Sequence, residues 1–177
     1  MPSERSIFRK IQVILDYCQP RKHHSIDELK DVIEKKSPLN FVYYRVDTNS
    51  DETKPYASNK SISHAVDLCV ELGLINSVTG HPTKLGVSAS DPRRFSRIIG
   101  HQTLEILKLK GISLDEIEAT IVQRLLHRTP PVSPSVKRIW AELSTEIKLK
   151  YFASYMNILG LSGILSVEQK RIYLPIK

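Results

Sequence analysis

Apolar residues recur at intervals of three to four positions along most of this chain, which is the spacing of one buried helix face. The first periodic stretch runs from Glu4 to about Tyr17, and Gln19-Pro20 ends it because proline disfavours a helical residue before it. A second helix is predicted from the serine cap at Ser25, and a third from about Lys60 to Leu72. The first half of the chain is therefore predicted to contain three helices.

The second half continues the helical pattern with fewer interruptions. Asp91-Pro92 places an acidic cap before a proline at the first helical position, which predicts a long helix through Gly111. Three more helices are predicted after it, from Ser113 to about His127, from Pro134 to Leu143 and from Thr145 to Leu159.

Short stretches with strand character interrupt these helices. Phe41 to Val46 is a β-branched and aromatic run inside the insertion Ser37–Asn59, and it predicts a strand. Leu74 to Val87, with Lys84 to Val87 as its return strand, and Ile164 to Leu174 each predict a hairpin that follows a helix. The fold class expected from these elements is mainly α with small β-hairpins, in the broader α+β class.

Two sequence markers occur twice, at nearly the same separation. Leu72-Gly73-Leu74-Ile75 and Leu159-Gly160-Leu161, 87 residues apart, are each predicted to close a helix and open a strand. Ser25-Ile26-Asp27-Glu28 and Ser113-Leu114-Asp115-Glu116, 88 residues apart, are near-identical helix starts. In each start the serine hydroxyl caps the first turn and the glutamate reaches back to the cap amide. The two markers together predict a duplicated helical unit.

The duplication divides the chain into a first unit at residues 1–90 and a second at residues 91–177, joined by the long helix 92–110. Charge is divided unevenly between them. Lys and Arg outnumber Asp and Glu by 14 to 8 in the second unit but only by 12 to 11 in the first. A basic surface attracts nucleic acid by neutralising phosphates, although a net charge of +7 also serves solubility alone.

The chain lacks the sequence features of an exported or membrane-bound protein. No apolar run approaches the roughly 20 residues that a membrane span needs, and the first residues lack a signal-peptide pattern. Cys18 and Cys69 lie at apolar helical positions, where we expect buried reduced thiols. We therefore expect a cytoplasmic protein, or a nuclear one if the source is eukaryotic, with no membrane partner.

The last predicted helix separates an apolar face from a polar one. Leu149, Phe152, Met156 and Leu159 fall on the core face. The opposite face and the nearby hairpin offer cations, a hydroxyl, an amide and an aromatic ring that suit phosphate and base contacts: Lys148, Lys150, Tyr151, Ser154, Asn157, Lys170 and Arg171. The alternative is an ordinary solvated helix face.

A second basic group lies on the joining helix, at Arg93, Arg94 and Arg97. These residues would either clamp a phosphate backbone or pair with acids of the first half. On the third helix, Asp67 and Glu71 occupy the exposed face, where they would repel phosphates. A protein-contact role suits the first half at least as well as a nucleic-acid role.

Metal-binding and catalytic patterns are missing from the sequence. None of the six histidines has a zinc-ligand spacing to a cysteine, and the pair His23-His24 is expected in a solvated loop. Phosphate-binding loops, nucleophile elbows and His-Glu-x-x-His are also missing. Glu168-x-Lys170 is typical of one nuclease superfamily, but the second carboxylate which that chemistry needs is not nearby. We therefore expect no enzyme activity, no metal and no cofactor.

The segments Val66 to Gly80 and Ala153 to Leu174, in which a helix runs through Leu-Gly-Leu into a strand, resemble the winged-helix superfamily. Members of that superfamily mostly bind nucleic acid or other proteins. The resemblance implies tandem winged-helix-like units, with the helix before each hairpin as the one laid in the major groove. The 23-residue insertion Ser37–Asn59 departs from the pattern of the superfamily.

Together these features predict a non-enzymatic DNA-binding protein that uses the helix 145–159 and the C-terminal hairpin. It would be a transcriptional regulator or the DNA-gripping subunit of a larger complex, with double-stranded DNA as its partner. The alternative is an adaptor whose winged-helix units dock onto an ATPase, nuclease or polymerase, which leaves a protein partner or self-association open.

Overall fold

The computed structural model describes residues 6–36, 41, 44–46, 53–55, 58–126, 134–168 and 171–174. In this part of the chain the helices are α1 (Ile7–Cys18), α2 (Ile26–Lys36), α3 (Ser58–Glu71), α4 (Lys84–Ala89), α5 (Pro92–Leu109), α6 (Leu114–Leu126), α7 (Val136–Leu143) and α8 (Leu149–Leu161). The strands are β1 (Tyr44–Val46), β2 (Thr53–Pro55), β3 (Ser166–Glu168) and β4 (Arg171–Tyr173). The mainly-α prediction is confirmed. The chain forms two compact units, Met1–Arg94 and Phe95–Lys177.

The serine caps act as the sequence predicts. The Ser25 hydroxyl accepts a hydrogen bond from the Glu28 amide, and the Ser113 hydroxyl accepts one from the Glu116 amide, both at 3.2 Å. Glu116 completes its capping box by accepting from the Ser113 amide at 2.8 Å. Glu28 instead accepts from the amide of His24, one residue earlier, at 2.7 Å. Each carboxylate still binds an amide at the positive end of its helix.

Left-handed glycines follow α3 and α8, the first at the position that the sequence repeat suggests and the second three residues later. Gly73 (φ +69°) and Gly163 (φ +78°) adopt the left-handed conformation that glycine tolerates best. The following amides, of Leu74 and Ile164, then donate back into the last turn, each at 2.9 Å. Leu159-Gly160-Leu161 forms the last three residues of α8, so it closes the helix as predicted, but the prediction that it opens a strand is wrong, because β3 begins only at Ser166. Gly163, rather than Gly160, is the equivalent of Gly73.

The first unit is held together by α1, α2 and α3, which contact one another in pairs. Their facing side chains are almost completely buried: Ile11, Ile14, Leu15, Cys18, Leu29, Ile33, Leu68, Cys69 and Leu72. A polar link also joins two of these helices, since the Lys10 ammonium donates to the Ser61 hydroxyl at 3.1 Å. The burial predicted for the two cysteines is confirmed, and both thiols are free.

The hairpin predicted at Leu74 to Val87 is wrong in its second half. The chain reverses between Ile75 and Pro82, which form a single β-bridge, and Lys84–Ala89 is helix α4. The Thr83 hydroxyl caps this helix by accepting from the Gly86 amide at 3.1 Å. A side chain at Gly86 would overlap the Leu74 carbonyl, so glycine at this position allows the backbone of α4 to pack directly on the backbone at Leu74. A six-residue helix of this kind is too short for apolar periodicity to reveal.

The hairpin of the first unit lies between α2 and α3. Within the predicted strand Phe41 to Val46, the structure places β1 at Tyr44–Val46, and β1 pairs antiparallel with β2 at Thr53–Pro55. Phe41 is fully buried. The other residues of the insertion fall largely outside the described ranges.

The loop after α3 packs on the segment that precedes α2, and this buries His23. Its side chain is only 5% exposed, and its ring centre lies 5.2 Å from that of His81, edge to face. His81 Nε2 also lies 2.8 Å from the backbone oxygen of His23. The prediction that His23-His24 forms a solvated loop is therefore wrong for His23 and right for His24, which is exposed.

The second unit is built from α5–α8 and a small sheet. β3 and β4 pair antiparallel with Val167 opposite Ile172, which confirms the predicted C-terminal hairpin. β4 has a second neighbour on its other side, because Ser135 bridges to Arg171 and the Ile172 amide donates to the Pro134 carbonyl at 3.0 Å. β4 is therefore central, between β3 and the segment that enters α7. The core beneath it comprises Ile117, Ile121, Ile139, Phe152, Met156, Leu159, Leu165 and Ile172.

Candidate nucleic-acid interface

Two consecutive helices joined by a short turn, α7 and α8, form the framework of the candidate interface. Ser144, in the turn, adopts a left-handed conformation (φ +49°, ψ +39°) that ends α7. The Trp140 indole N–H then donates to the Ile147 carbonyl at 2.7 Å, and the Ile147 amide donates to the Thr145 hydroxyl at 3.2 Å. These contacts fix the turn, and with it the position at which α8 begins.

The two faces of α8 differ as the sequence predicts at four positions. Phe152 and Met156 are fully buried, whereas Lys150 and Asn157 are exposed. Lys148, at the N-cap of the helix, is exposed as well. A cation at the start of the helix and an amide in its third turn therefore face the solvent.

Ser154 does not belong to the exposed face. Its side chain is 8% exposed, and its hydroxyl donates to the Lys150 carbonyl one turn earlier at 3.1 Å. The prediction that Ser154 contacts nucleic acid is therefore wrong, because α8 buries more of its circumference than a two-faced helix would. Tyr151 is half-buried, and the Lys150 ammonium lies 5.1 Å from the centre of its ring, within range of a cation–π attraction.

The hairpin places one predicted cation beside the start of α7. Arg171, on β4, is half-buried, and it lies opposite Ser135, the N-cap of α7. Lys170, the neighbouring predicted residue, lies outside the described part of the chain.

Two further cations at this surface were not found from the sequence. Lys137 and Arg138 are exposed in the first turn of α7, two and three residues after the Ser135 cap. The sequence signal for them was two cations within three residues of a serine helix start. Cations at a helix N-terminus are unfavourable for the helix dipole, so their presence there indicates a role other than helix stability. The first turns of α7 and α8 hold no acidic residue, although Glu146 is exposed in the turn between them.

We call Lys137, Arg138, Lys148 and Lys150 the α7–α8 basic surface. All four are exposed; Lys137 and Arg138 lie at the start of α7, and Lys148 and Lys150 lie at the start of α8, so each pair is at the positive end of a helix dipole. Charge and dipole thus add in sign, so this surface attracts anions.

The predicted arginine group on the joining helix is partly engaged with an acid. Arg93 and Arg94 lie 3.3 and 3.9 Å from the carboxylate oxygens of Asp91. The Arg93 amide and guanidinium donate to that carboxylate, which holds the pKa of Asp91 below its ordinary value. Asp91 immediately precedes the helix that carries both arginines and is not an acid of the predicted first unit (residues 1–90), so neither predicted role is established for them. Arg97 is exposed on α5.

Neither a metal-binding cluster nor a membrane-spanning helix is found among the described residues. Within them, no group of three or more His, Cys, Asp or Glu side chains is arranged to hold a metal ion. Likewise, among these residues no helix combines the length and the apolar character needed to cross a membrane.

Comparison with known proteins yields no relative: no family model, no curated protein and no solved structure matches this chain. Its function is therefore inferred from the α7–α8 basic surface and the elements that carry it.

Proposed function

We propose that the second unit is a winged-helix-like module that binds double-stranded DNA, with α8 as the helix laid in the major groove. The chain is then a non-enzymatic DNA-binding protein, either a transcriptional regulator or the DNA-gripping subunit of a larger complex. One observation carries this proposal. Exposed cations lie at the starts of both α7 and α8, the two helices that would form the helix-turn-helix.

The order of the elements supports the proposal. From α6 the chain passes through a short edge segment at Pro134-Ser135, then α7, α8 and the hairpin β3–β4. This order, consecutive helices followed by a hairpin, is the one on which the resemblance to the winged-helix superfamily rests. In helix-turn-helix proteins the first helix crosses the phosphate backbone and the start of the second contacts the bases, and here the starts of α7 and α8 both carry exposed cations.

The distribution of charge restricts the proposed contact to the second unit. On α3, Asp67 pairs with Lys30 at 3.7 Å and Glu71 is exposed, so this helix presents carboxylates to any phosphate. The excess of 14 basic over 8 acidic residues lies in residues 91–177. Phosphate neutralisation therefore favours the second unit.

A second candidate function, protein docking, is supported by the far end of the same helix. Beyond Asn157, α8 presents Gly160 and Leu161, and Leu161 is 45% exposed. In the same unit, Leu109 is 85% exposed at the end of α5. Exposed apolar side chains suit an adaptor that docks onto an ATPase, nuclease or polymerase.

Salt dependence separates the two functions. Anisotropy of a labelled random-sequence duplex, titrated with the protein at several salt concentrations, should give an affinity that falls by about 0.9 logarithmic units per decade of salt for each phosphate neutralised. The variant K148A/K150A should weaken binding and lower that slope by about one unit for each lysine that contacts a phosphate. Replacing Asp67 and Glu71 with alanine should not weaken binding. A protein that binds no duplex even at low salt would favour the adaptor.

A further inference from the structure

The α7–α8 basic surface carries few groups able to distinguish one base pair from another. We infer that it binds duplex DNA largely independently of base sequence, through the phosphate backbone. This inference rests on the proposed function and names the class of DNA that the same surface takes: a duplex of any sequence rather than a specific operator.

The first half of α8 offers little for reading bases. In helix-turn-helix proteins the N-terminal residues of the recognition helix contact the base edges. Here Phe152 and Ser154 are buried and Ala153 is apolar, while Tyr151 is half-buried beneath the ammonium of Lys150. Lys150 is thus the one exposed charged side chain in the segment that would enter the groove.

The second half of α8 adds a single base-reading group. The Asn157 amide can donate and accept at once, which is the pattern that recognises adenine. The other exposed or half-exposed residues there, Gly160 and Leu161, have no polar side-chain atoms. One such contact discriminates between bases by at most about 100-fold, whereas sequence-specific proteins prefer their sites by roughly 10³–10⁷-fold.

The remaining cations are placed for phosphates. Lys137 and Arg138 lie in the first turn of α7, and Lys148 lies at the cap of α8, where helix amides also point at an anion. Phosphate contacts position a protein on the duplex but carry no sequence information directly. Most of the attraction between this surface and DNA is therefore expected to be independent of base sequence.

Selection from a randomised duplex pool tests the inference. The full-length protein should bind the best selected sequence, an A·T-rich duplex and a G·C-rich duplex with affinities within about 100-fold of the unselected pool at one fixed salt concentration. A selected sequence that binds more than about 100-fold tighter than the pool overturns the inference but leaves the proposed function standing. If no duplex binds at low salt, the proposed function fails and the inference fails with it.

Paired variants sharpen the test. K137A/R138A should lower affinity for the random pool by about tenfold or more and reduce the salt slope by up to about two units, whereas N157A should cost less affinity than K137A/R138A and leave the salt slope unchanged, because an amide carries no charge. K35A/K36A is the charge-matched control: it removes two exposed lysines of α2 and should change affinity much less than K137A/R138A.

All these substitutions are at exposed positions, so thermal melts should show an intact fold for each variant. The inference is overturned if N157A costs as much affinity as K137A/R138A, or if K35A/K36A does.

Discussion

At the scale of single residues, two glycines of the first and second units meet different surroundings and should respond differently to alanine. A Cβ on Gly86 would overlap the Leu74 backbone carbonyl, whereas a Cβ on Gly111 would meet no atom within 4 Å. We expect Gly86→Ala to lower the free energy of unfolding by more than about 2 kcal/mol, since the backbone cannot move aside cheaply. Gly111→Ala should cost only about 1 kcal/mol, from its left-handed φ of +80°.

Urea unfolding of the two glycine variants, followed by circular dichroism, makes the comparison. If the two variants lost equal free energies of unfolding, the close contact between α4 and the loop before it would not constrain the fold.

The two thiols should be inert in the native protein. Cys18 and Cys69 are both fully buried, and burial raises the pKa of Cys18 to about 12 and raises that of Cys69 as well. Because the thiolate is the reactive form, a chromogenic disulfide reagent at pH 8 should modify neither cysteine before unfolding and both in denaturant. Rapid reaction of one thiol in buffer would mean that the α1–α3 contact opens locally.

At the scale of elements, the contact between α1 and α3 contains a lysine that burial destabilises in its charged form. Desolvation lowers the pKa of Lys10 from its ordinary value, while its ammonium donates to Ser61. The unfolded chain therefore binds more protons than the folded one between the lowered pKa and 10.5. The free energy of unfolding should accordingly rise with pH through that interval, as the penalty for charging Lys10 disappears.

The variant Lys10→Met isolates this effect. The stability of the original protein relative to K10M, measured by urea unfolding at neutral pH and near pH 10, should increase with pH. The variant Ser61→Ala is the control: it removes the hydrogen bond but retains the partly buried lysine, so it should keep the pH dependence. A difference between the original protein and K10M that does not change with pH would contradict the assignment.

Local chemistry explains which elements could be predicted from the sequence. The caps at Ser25 and Ser113 and the stop at Gln19-Pro20 act within a few residues of themselves, and the helices they delimit are observed. The helix α4 was missed because backbone contact between Gly86 and Leu74, which is not visible as a pattern, competes with a short apolar run.

The candidate site divides in the same way. Exposure of Lys150 and Asn157 follows from the helical period. The predicted exposure of Ser154 was wrong, because its burial depends on how closely the neighbouring elements pack around α8. Helical spacing alone does not show this. The position of Arg171 beside Ser135 depends on a pairing across more than thirty residues, which only the tertiary structure reveals.

At the scale of the whole molecule, two cores and one uneven charge distribution define the chain. The compact units Met1–Arg94 and Phe95–Lys177 each have their own buried helices, and most of the excess positive charge belongs to the second half of the chain. A protein with this division can assign DNA contact to one unit and a different contact to the other. Such a division of roles requires that each unit retain its structure when the other is perturbed.

Separate cores should also appear as separate unfolding transitions, and the chain contains a natural probe for one of them. Trp140, its single tryptophan, lies in α7 of the second unit and donates to Ile147, so its fluorescence reports on that unit. Far-ultraviolet circular dichroism reports on the helices of both units. We expect the two signals to change at different urea concentrations, because coincident transitions are typical of a single cooperative unit.

Gly86→Ala, in the first unit, should shift part of the dichroism transition to lower urea concentrations and leave the midpoint of the fluorescence transition unchanged. If the fluorescence midpoint moves as far as the dichroism midpoint, the two units unfold together and the second unit cannot act independently of the first.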